Sequence, residues 1–245
     1  MLNFVILAAG KSKRIYQKIK KNKCLLEIDG ETIIEKIIQT ILKIKKKKKI
    51  HIVTGFKKEL IKKSLKNYKF INYIHNNKFE TTEMLYSLCL ALKKIKGDTI
   101  FLYSDILFTK QTILKIINNK SNSIIIPGYR KWVKVWSKRK KNILNDAETF
   151  KIDSRQNILE IGKKLTIKTL PKFQYMGIGF IPSSLKNKFL KNFYLNKKNN
   201  KFHITNFLDF LIKKKFKLKV LPDTTDWYEF DDFKDYLNYL KKNES

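Results

Sequence analysis

Hydrophobic and polar positions alternate with helix-like and strand-like spacing in turn along the first half of the chain. The run Phe4-Val5-Ile6-Leu7-Ala8-Ala9 is apolar and short, a length that favours a buried strand over a helix. Cys24 to Ile28 predicts a short strand closed by the turn dipeptide Asp29-Gly30. From Glu31 to Ile44, Ile33, Ile34, Ile37, Ile38, Ile41 and Ile44 fall on one stripe, which predicts an amphipathic helix. Ile50 to Val53 predicts a second strand ending at Thr54-Gly55, 58–65 a helix, and 70–74 a third strand. A helix entered through 80–88 and running to about Ile95 leads into a buried-strand run over 99–105 that delivers the Asp105 carboxylate at its carboxyl end. Strand and helix in alternation predict an α/β fold with a doubly wound, mostly parallel sheet. Ligands in such sheets sit at the carboxyl ends of strands, so the loops after Leu7, Val53, Ile74 and the next strand are the places to look.

Beyond Ser123 the pattern is less regular. Ile124 to Pro127 predicts a strand, followed by an aromatic stretch with Tyr129, Arg130, Trp132 and Trp136. Residues 146–152 and 158–163 predict paired strands joined at Asp153-Ser154, and Phe173 to Ile181 predicts one strand. A helix over 204–212, a strand over 218–221 and a closing strand and helix after Asp226 complete the chain. In the closing strand, alternation puts Glu229 and Asp231 on one face, opposite Tyr228 and Phe230. His51, inside a strand, reads as a packing residue.

Composition changes this picture little. The 245 residues, 43% hydrophobic and 13% aromatic, suit one elaborated globular domain. The net charge of +33 comes almost wholly from lysine; arginine occurs only at 14, 130, 139 and 155. A nucleic-acid reader uses arginine for phosphate forks and base edges, and here the lysines are scattered through helices and loops. No specific nucleic-acid partner is therefore expected, although a basic nucleic-acid-binding protein is the alternative from another class. Cys24 and Cys89 are too few for a disulfide framework or a zinc site. The opening apolar run lacks the length and basic leader of a secretion signal, and no segment is apolar enough to span a bilayer. A cytoplasmic protein without membrane insertion, monomeric or homodimeric, is expected.

The residues with chemical potential cluster at strand ends. Ala8, Ala9 and Gly10 lack bulk, so backbone N–H groups there can approach a ligand, and Lys11, Lys13 and Arg14 add positive charge. Bare amides with an arginine fork suit a triphosphate, whereas the absence of a Gly-Lys-Ser/Thr ending excludes a P-loop. An ordinary turn with solvated lysines accounts for the same residues. Asp105 follows a buried strand; it either caps the next helix or holds a hard cation such as Mg²⁺. Thr81 or Thr82 is a competent N-cap, and Asp231 or Asp232 could cap the last helix with Asp235 in its first turn.

Leu7-Ala8-Ala9-Gly10-x-Ser12-x-Arg14, followed by Lys23-Cys24-Leu25-Leu26, resembles the signature of nucleotidyltransferases that activate phosphorylated small molecules with an NTP. The family pattern is Leu-Ala-Ala-Gly-x-Gly-x-Arg, a spacer, then Pro-Lys-x-Leu. Here Ser12 stands for the second glycine, tolerable if its φ stays negative, and Asn22 for the proline. Three further segments resemble the phosphocholine cytidylyltransferase-like branch: Thr82 to Leu88, with Glu83 where asparagine is usual; the strand ending at Asp105; and Trp227-x-Glu229-x-Asp231. The resemblance spans essentially the whole chain and implies a Rossmann-like sheet with a β-rich acceptor half inserted. Residues 1–122 would mainly bind nucleotide and 123–245 mainly the acceptor.

What the resemblance implies is transfer of a nucleotidyl group, CMP from CTP in the first place, to a phosphorylated small molecule with release of pyrophosphate. Leu7, Ala8, Ala9, Gly10, Lys11, Ser12, Arg14, Lys23, Gly55, Thr82 and Ser87 would bind the nucleotide. Arg14, Lys23, Asp105 and Asp231 would be catalytic, the two aspartates holding Mg²⁺. Trp136, Glu148, Lys163, Tyr175, Gly177, Asp209 and Glu229 would line the acceptor pocket. Indoles with carboxylates suit a cationic amine, so a phospho-amine such as phosphocholine is the expected acceptor and a sugar 1-phosphate the alternative.

Overall fold

The computed structural model describes residues 1–119, 121–139, 143–165, 170–195 and 201–243. Strand β1 (Leu2–Ala8) is at the centre, and its pleat divides the core. Phe4 and Ile6 pack with the isoleucine stripe of helix α2 (Ile33–Leu42), whereas Val5 and Leu7 face α4 (Met84–Lys94) through Leu85, Leu88, Cys89 and Leu92. Alternate side chains of one strand thus bury against helices on opposite faces, which is why β1 is apolar throughout. Helix α1 (Lys13–Ile19) precedes α2.

Strands β4 (Lys48–Thr54) and β6 (Asp98–Tyr103) flank β1 in parallel, and β5 (Asn72–His75) extends the sheet beyond β4. Helix α3 (Lys58–Ser64) joins β4 to β5. The sheet runs on through β12 (Ile178–Ile181) to β8 (Ile124–Tyr129) and β13 (Leu218–Asp223). Among the described residues β12 runs antiparallel to its neighbours β6 and β8, as does β11 (Gln174–Tyr175) to β8, whereas β13 is parallel to β8. The mixed, mainly parallel α/β sheet expected from the sequence is present.

Local differences have local causes. The stretch predicted as a strand over 24–28 begins as a 3₁₀ turn, Lys23–Leu25, and only Glu27–Ile28 (β2) pairs with Glu31–Thr32 (β3). Asp29 and Gly30 both have positive φ, 52° and 78°, as a tight two-residue hairpin needs. Helix α2 therefore starts at Ile33, with Thr32 and Glu35 closing a reciprocal capping box. The N-cap of α4 is Glu83; Thr82 instead donates its hydroxyl to the Lys78 carbonyl at 2.7 Å. The single strand predicted over 173–181 is broken into β11 (Gln174–Tyr175) and β12 by Gly177 at φ 71°. The aromatic stretch after β8 folds as helix α6 (Trp132–Arg139).

Between β6 and β8 lie β7 (Ile106–Phe108) and α5 (Lys110–Asn118). The predicted pair is present as β9 (Glu148–Ile152) and β10 (Ile158–Lys164), and α7 (Ser183–Tyr194) and α8 (Ile204–Lys213) follow β12. At the end, β14 (Trp227–Glu229) pairs antiparallel with β7, and α9 (Phe233–Asn243) closes the chain. Among the described residues no helix is long and apolar enough to cross a membrane.

The close approach of β12 to β6 needs Gly179. A Cβ there would meet the buried Phe101 ring at 2.2 Å. Gly179→Ala is expected to cost about 1–3 kcal/mol of unfolding free energy from overpacking, measured by urea denaturation.

Candidate active site

The carboxyl ends of β1, β5 and β6 open into one cleft of about 330 Å³. Its walls are the 7–13 loop, Asn22 to Cys24, Asn76, the segment Phe79 to Ser87, and Ser104-Asp105. Nine of the eleven expected nucleotide-binding positions line the cleft, and Arg14 and Gly55 do not.

The 7–14 loop is shaped by the two departures from the expected signature. Ser12 sits in the left-handed region at φ 52°, ψ 35°, contrary to the expectation of a negative φ, so the position retains its glycine-like backbone. Its Oγ accepts the Lys23 N–H at 3.1 Å, a bond glycine cannot make. Asn22 has φ −70° and ψ 145°, values a proline would also adopt. It is buried, and its Nδ2 donates to the Phe56 carbonyl at 3.2 Å, while the Phe56 N–H donates to the Ala9 carbonyl at 3.1 Å. Three loops are thereby tied into one wall. Gly55 serves that closure: a Cβ would lie 2.6 Å from the Ala9 carbonyl oxygen and 2.7 Å from Phe79 Cβ. A Cβ on Gly10 would meet nothing within 4 Å, which keeps the neighbouring amides open.

Charge concentrates at one edge of the cleft. Lys23 Nζ lies 3.1 Å from Asp105 Oδ2 and 3.3 Å from Asp231 Oδ1. Arg14, carried on α1, forks onto the same carboxylate, with Nη2 at 3.2 Å from Oδ1 and Nη1 at 3.4 Å from Oδ2. Asp231 reaches this point because Phe230 N–H donates to the Asp105 carbonyl at 2.9 Å, just past the β7–β14 pairing. The backbone of Asp231 is fixed in turn: Asp235 Oδ2 accepts its N–H at 2.9 Å, and Asp232, the expected alternative cap, accepts the Asp235 N–H. Burial works against the charged form of Lys23, but Asp105, Asp231 and Glu229 outweigh it and hold the ammonium above its usual pKa. Cys24 is no nucleophile; burial, with Asp105, pushes its thiol up to about 12.

On the opposite wall, Asn76 was not singled out by sequence, although it follows a strand end marked there as a ligand position. It is buried, and its Nδ2 donates to Thr82 Oγ1 at 3.1 Å and Ser87 Oγ at 3.0 Å. This bond network sets the two hydroxyls expected to face the nucleotide. Lys11 pairs with Glu80 at 2.7 Å across the mouth.

None of the expected acceptor residues lines this cleft. Glu148, Tyr175, Gly177 and Glu229 gather around Tyr103, two residues before Asp105. The Gly177 carbonyl accepts the Tyr103 N–H at 2.9 Å, and Tyr175 meets the Tyr103 ring edge-on at 5.6 Å. Burial, then Glu229, Glu148 and Asp105, raises the Tyr103 hydroxyl pKa well above its usual value. Burial likewise raises that of Glu148, with Thr205 and His203 partly opposing it. Lys163 pairs with Glu160 and lies 3.9 Å from Asp209, which is buried and also bound to Lys213 at 3.1 Å. Trp136 is buried edge-to-face against Trp132, in the core shared with Trp227.

Comparison with known proteins gives a consistent picture. Residues 4–161 match the family described as the MobA-like NTP transferase domain. The chain is 30% identical, over 98% of its length and 100% of the relative's, to a CTP:phosphoglutamine cytidylyltransferase from Campylobacter jejuni subsp. jejuni. Its fold is similar to that of a CTP:phosphocholine cytidylyltransferase from Streptococcus pneumoniae, with a TM-score of 0.74, 16% identity and 99% of both chains covered. It is also similar to an inositol-1-phosphate CTP transferase from T. maritima, with a TM-score of 0.76 and 15% identity over 98% of this chain and 94% of the other.

The Ser12 geometry separates two substitutions. Both Ser12→Gly and Ser12→Ala lose the bond to Lys23, but only alanine keeps the cost of positive φ. Ser12→Ala should therefore be the less stable by about 1 kcal/mol in urea denaturation.

Proposed function

The chain belongs to the MobA-like NTP transferase family, and from that membership we propose that it is a cytidylyltransferase for a small phosphorylated acceptor bearing an amine. The observation that carries this reading is the Lys23 ammonium held between Asp105 and Asp231 at the edge of a cleft walled by bare amides. CTP is taken over from the relative that is similar over its full length.

An acceptor phosphate is already largely ionised near pH 7, so attack on the α-phosphorus needs no strong base. The acceptor oxygen forms the new P–O bond as the bond to the β-phosphate breaks, and pyrophosphate leaves. Two anions must meet, so the protein's task is alignment and charge neutralisation. In this reading the 8–12 amides and Arg14 hold the β- and γ-phosphates, and Lys23 follows the charge that develops around the α-phosphate. Asn76, Thr82 and Ser87 face the base and sugar. Asp105 and Asp231 fit Mg²⁺: both present carboxylate oxygens, and they already converge on a cation. Mg²⁺ bound there would offset phosphate charge and orient the α-phosphate.

On the acceptor side, Glu148 and Glu229 beside Tyr103 and Tyr175 supply negative charge and aromatic surface for an ammonium. The three tryptophans are buried, with the Trp132 and Trp227 indole N–H groups donated to the Pro171 and Met176 carbonyls. This favours recognition by carboxylates over an indole cage, and hence an ammonium with N–H donors, as in a phosphorylated amino acid, over phosphocholine. A pyrophosphate-release screen of CTP, UTP, dTTP and ATP tests this against phosphoglutamine, phosphocholine, phosphoethanolamine and glucose 1-phosphate. CTP with an amine-bearing acceptor should be fastest. Faster turnover with glucose 1-phosphate would replace the reading with sugar-nucleotide synthesis.

Two sets of variants probe the roles. Lys23→Ala should lower kcat far more than it raises the KM for CTP, because its charge acts mainly in the transition state. Asp105→Ala should lower kcat/KM at least about a hundredfold, and excess EDTA should abolish turnover.

Glu148→Gln should weaken discrimination for the amine acceptor yet raise stability at pH 7. The folded pKa of Glu148 lies above its unfolded value, so its neutral form costs nothing below the unfolded pKa. Ionisation penalises the folded state as pH rises through the folded pKa. The stability gain of the glutamine variant should accordingly be absent in acid, grow over that window and then level off, as urea titrations at a series of pH values would show.

A further inference from the structure

The two carboxylates assigned to the metal are not free: oxygens that would bind it are engaged by cations of the chain itself. Lys23 Nζ bridges Asp105 Oδ2 and Asp231 Oδ1 at 3.1 and 3.3 Å, and Asp231 Oδ1 also accepts from Arg14 at 3.2 Å. Lys23 and Asp105 are well enclosed, with side chains 13% and 16% exposed, so their attraction is less screened than a surface pair. We infer that Lys23 is the resident counter-ion of the Asp105–Asp231 pair and that the divalent metal enters only together with the nucleotide. The inference rests on the proposed assignment of Asp105 and Asp231 as metal ligands.

The argument is one of charge and space. Mg²⁺ binds carboxylate oxygens at about 2.1 Å and gives up its water reluctantly. An ammonium held by two of these oxygens competes with it for them, and a dication beside that ammonium would be strongly repelled. Metal alone must therefore expel Lys23 without offering it a new anion. A triphosphate supplies that anion. As the metal–nucleotide complex enters, Lys23 transfers from the carboxylates to phosphate oxygens, and Arg14 can do the same. The move places Lys23 beside the α-phosphate, and the short reach required is set by the bond from its backbone N–H to Ser12 Oγ. By linkage, nucleotide tightens the metal as much as metal tightens the nucleotide.

Mn²⁺ is a suitable probe, since free and bound ion are distinguished by electron paramagnetic resonance without any turnover. Wild-type protein alone should bind Mn²⁺ at least about tenfold more weakly than Lys23→Met, and should bind it tightly only with α,β-methylene-CTP, after subtraction of the Mn²⁺–analogue complex in buffer. Thermal denaturation gives a second readout. Mn²⁺ alone should raise the Tm of Lys23→Met but not that of wild type, which should respond only to Mn²⁺ with the analogue. If Lys23→Met fails to fold, Lys23→Gln and the wild-type comparison with and without analogue remain decisive. Wild-type protein that binds Mn²⁺ alone as tightly as the lysine variant, or as tightly as with the analogue, would overturn the inference while leaving the metal ligands in place. If Asp105→Asn binds Mn²⁺ with the analogue as wild type does, the ligand assignment itself falls, and the inference with it.

Discussion

An ammonium caught between two carboxylates is the contact around which this molecule is arranged. Lys23 meets Asp105 82 residues away along the chain and Asp231 208 residues away. Neither carboxylate could hold its position on a flexible segment. Asp105 follows the strand beside β1, and Asp231 is delivered by the short antiparallel pairing of β14 with β7 and locked by the cap of α9. The third partner is held from the other direction. Ser12 fixes the backbone of Lys23, Asn22 ties that segment to Phe56, and Phe56 returns to Ala9. A large part of the fold thus converges on a volume only a few ångströms across.

The enclosure of this charge cluster gives it its energetic weight. In a chain of net charge +33, lysines are plentiful and most ion pairs are half-exposed, where they contribute little. Lys11–Glu80 and Lys62–Glu59 are of that kind. Lys23 differs because burial disfavours its charged form, and its carboxylates reverse that tendency. The excess of lysine elsewhere is consistent with an ordinary solvated surface; the lysine that matters is distinguished by its surroundings.

Much of this was legible in the sequence because two different periodicities carry it. Apolar strand runs and the isoleucine stripe of α2 gave the alternating sheet, and strand ends pointed to the 7–14 loop, Asp105 and the segment holding Ser87. Asp231 was legible only through resemblance, since Asp232 and Asp235 offered a capping explanation and do form that cap. What stayed hidden depends on contacts between distant segments. The left-handed backbone of Ser12 is stabilised by nothing in its own neighbourhood that sequence displays, and is recognisable only by its bond to Lys23. The fates of the aromatics were equally hidden: a tryptophan at helical spacing serves a core or a binding site alike, and packing between Trp132 and Trp136 distinguishes them.

Glu148 presents the reverse of the Lys23 case, and the contrast bears on how the acceptor half would work. Its carboxylate is driven towards the neutral form by burial, and the Thr205 hydroxyl at 3.5 Å is a weak compensation. A chain so rich in lysine had ample means to pair it. A half-buried acid that no lysine pairs among the described residues lowers stability, and persists most readily where a ligand supplies the missing charge. The catalytic edge is thus balanced internally until substrate arrives, by a lysine that phosphate can draw away. On the proposed reading substrate supplies the charge that Glu148 lacks: the ammonium that completes Glu148 also brings the attacking phosphate towards the α-phosphorus. Binding of the acceptor's charge and alignment for transfer would then be a single event.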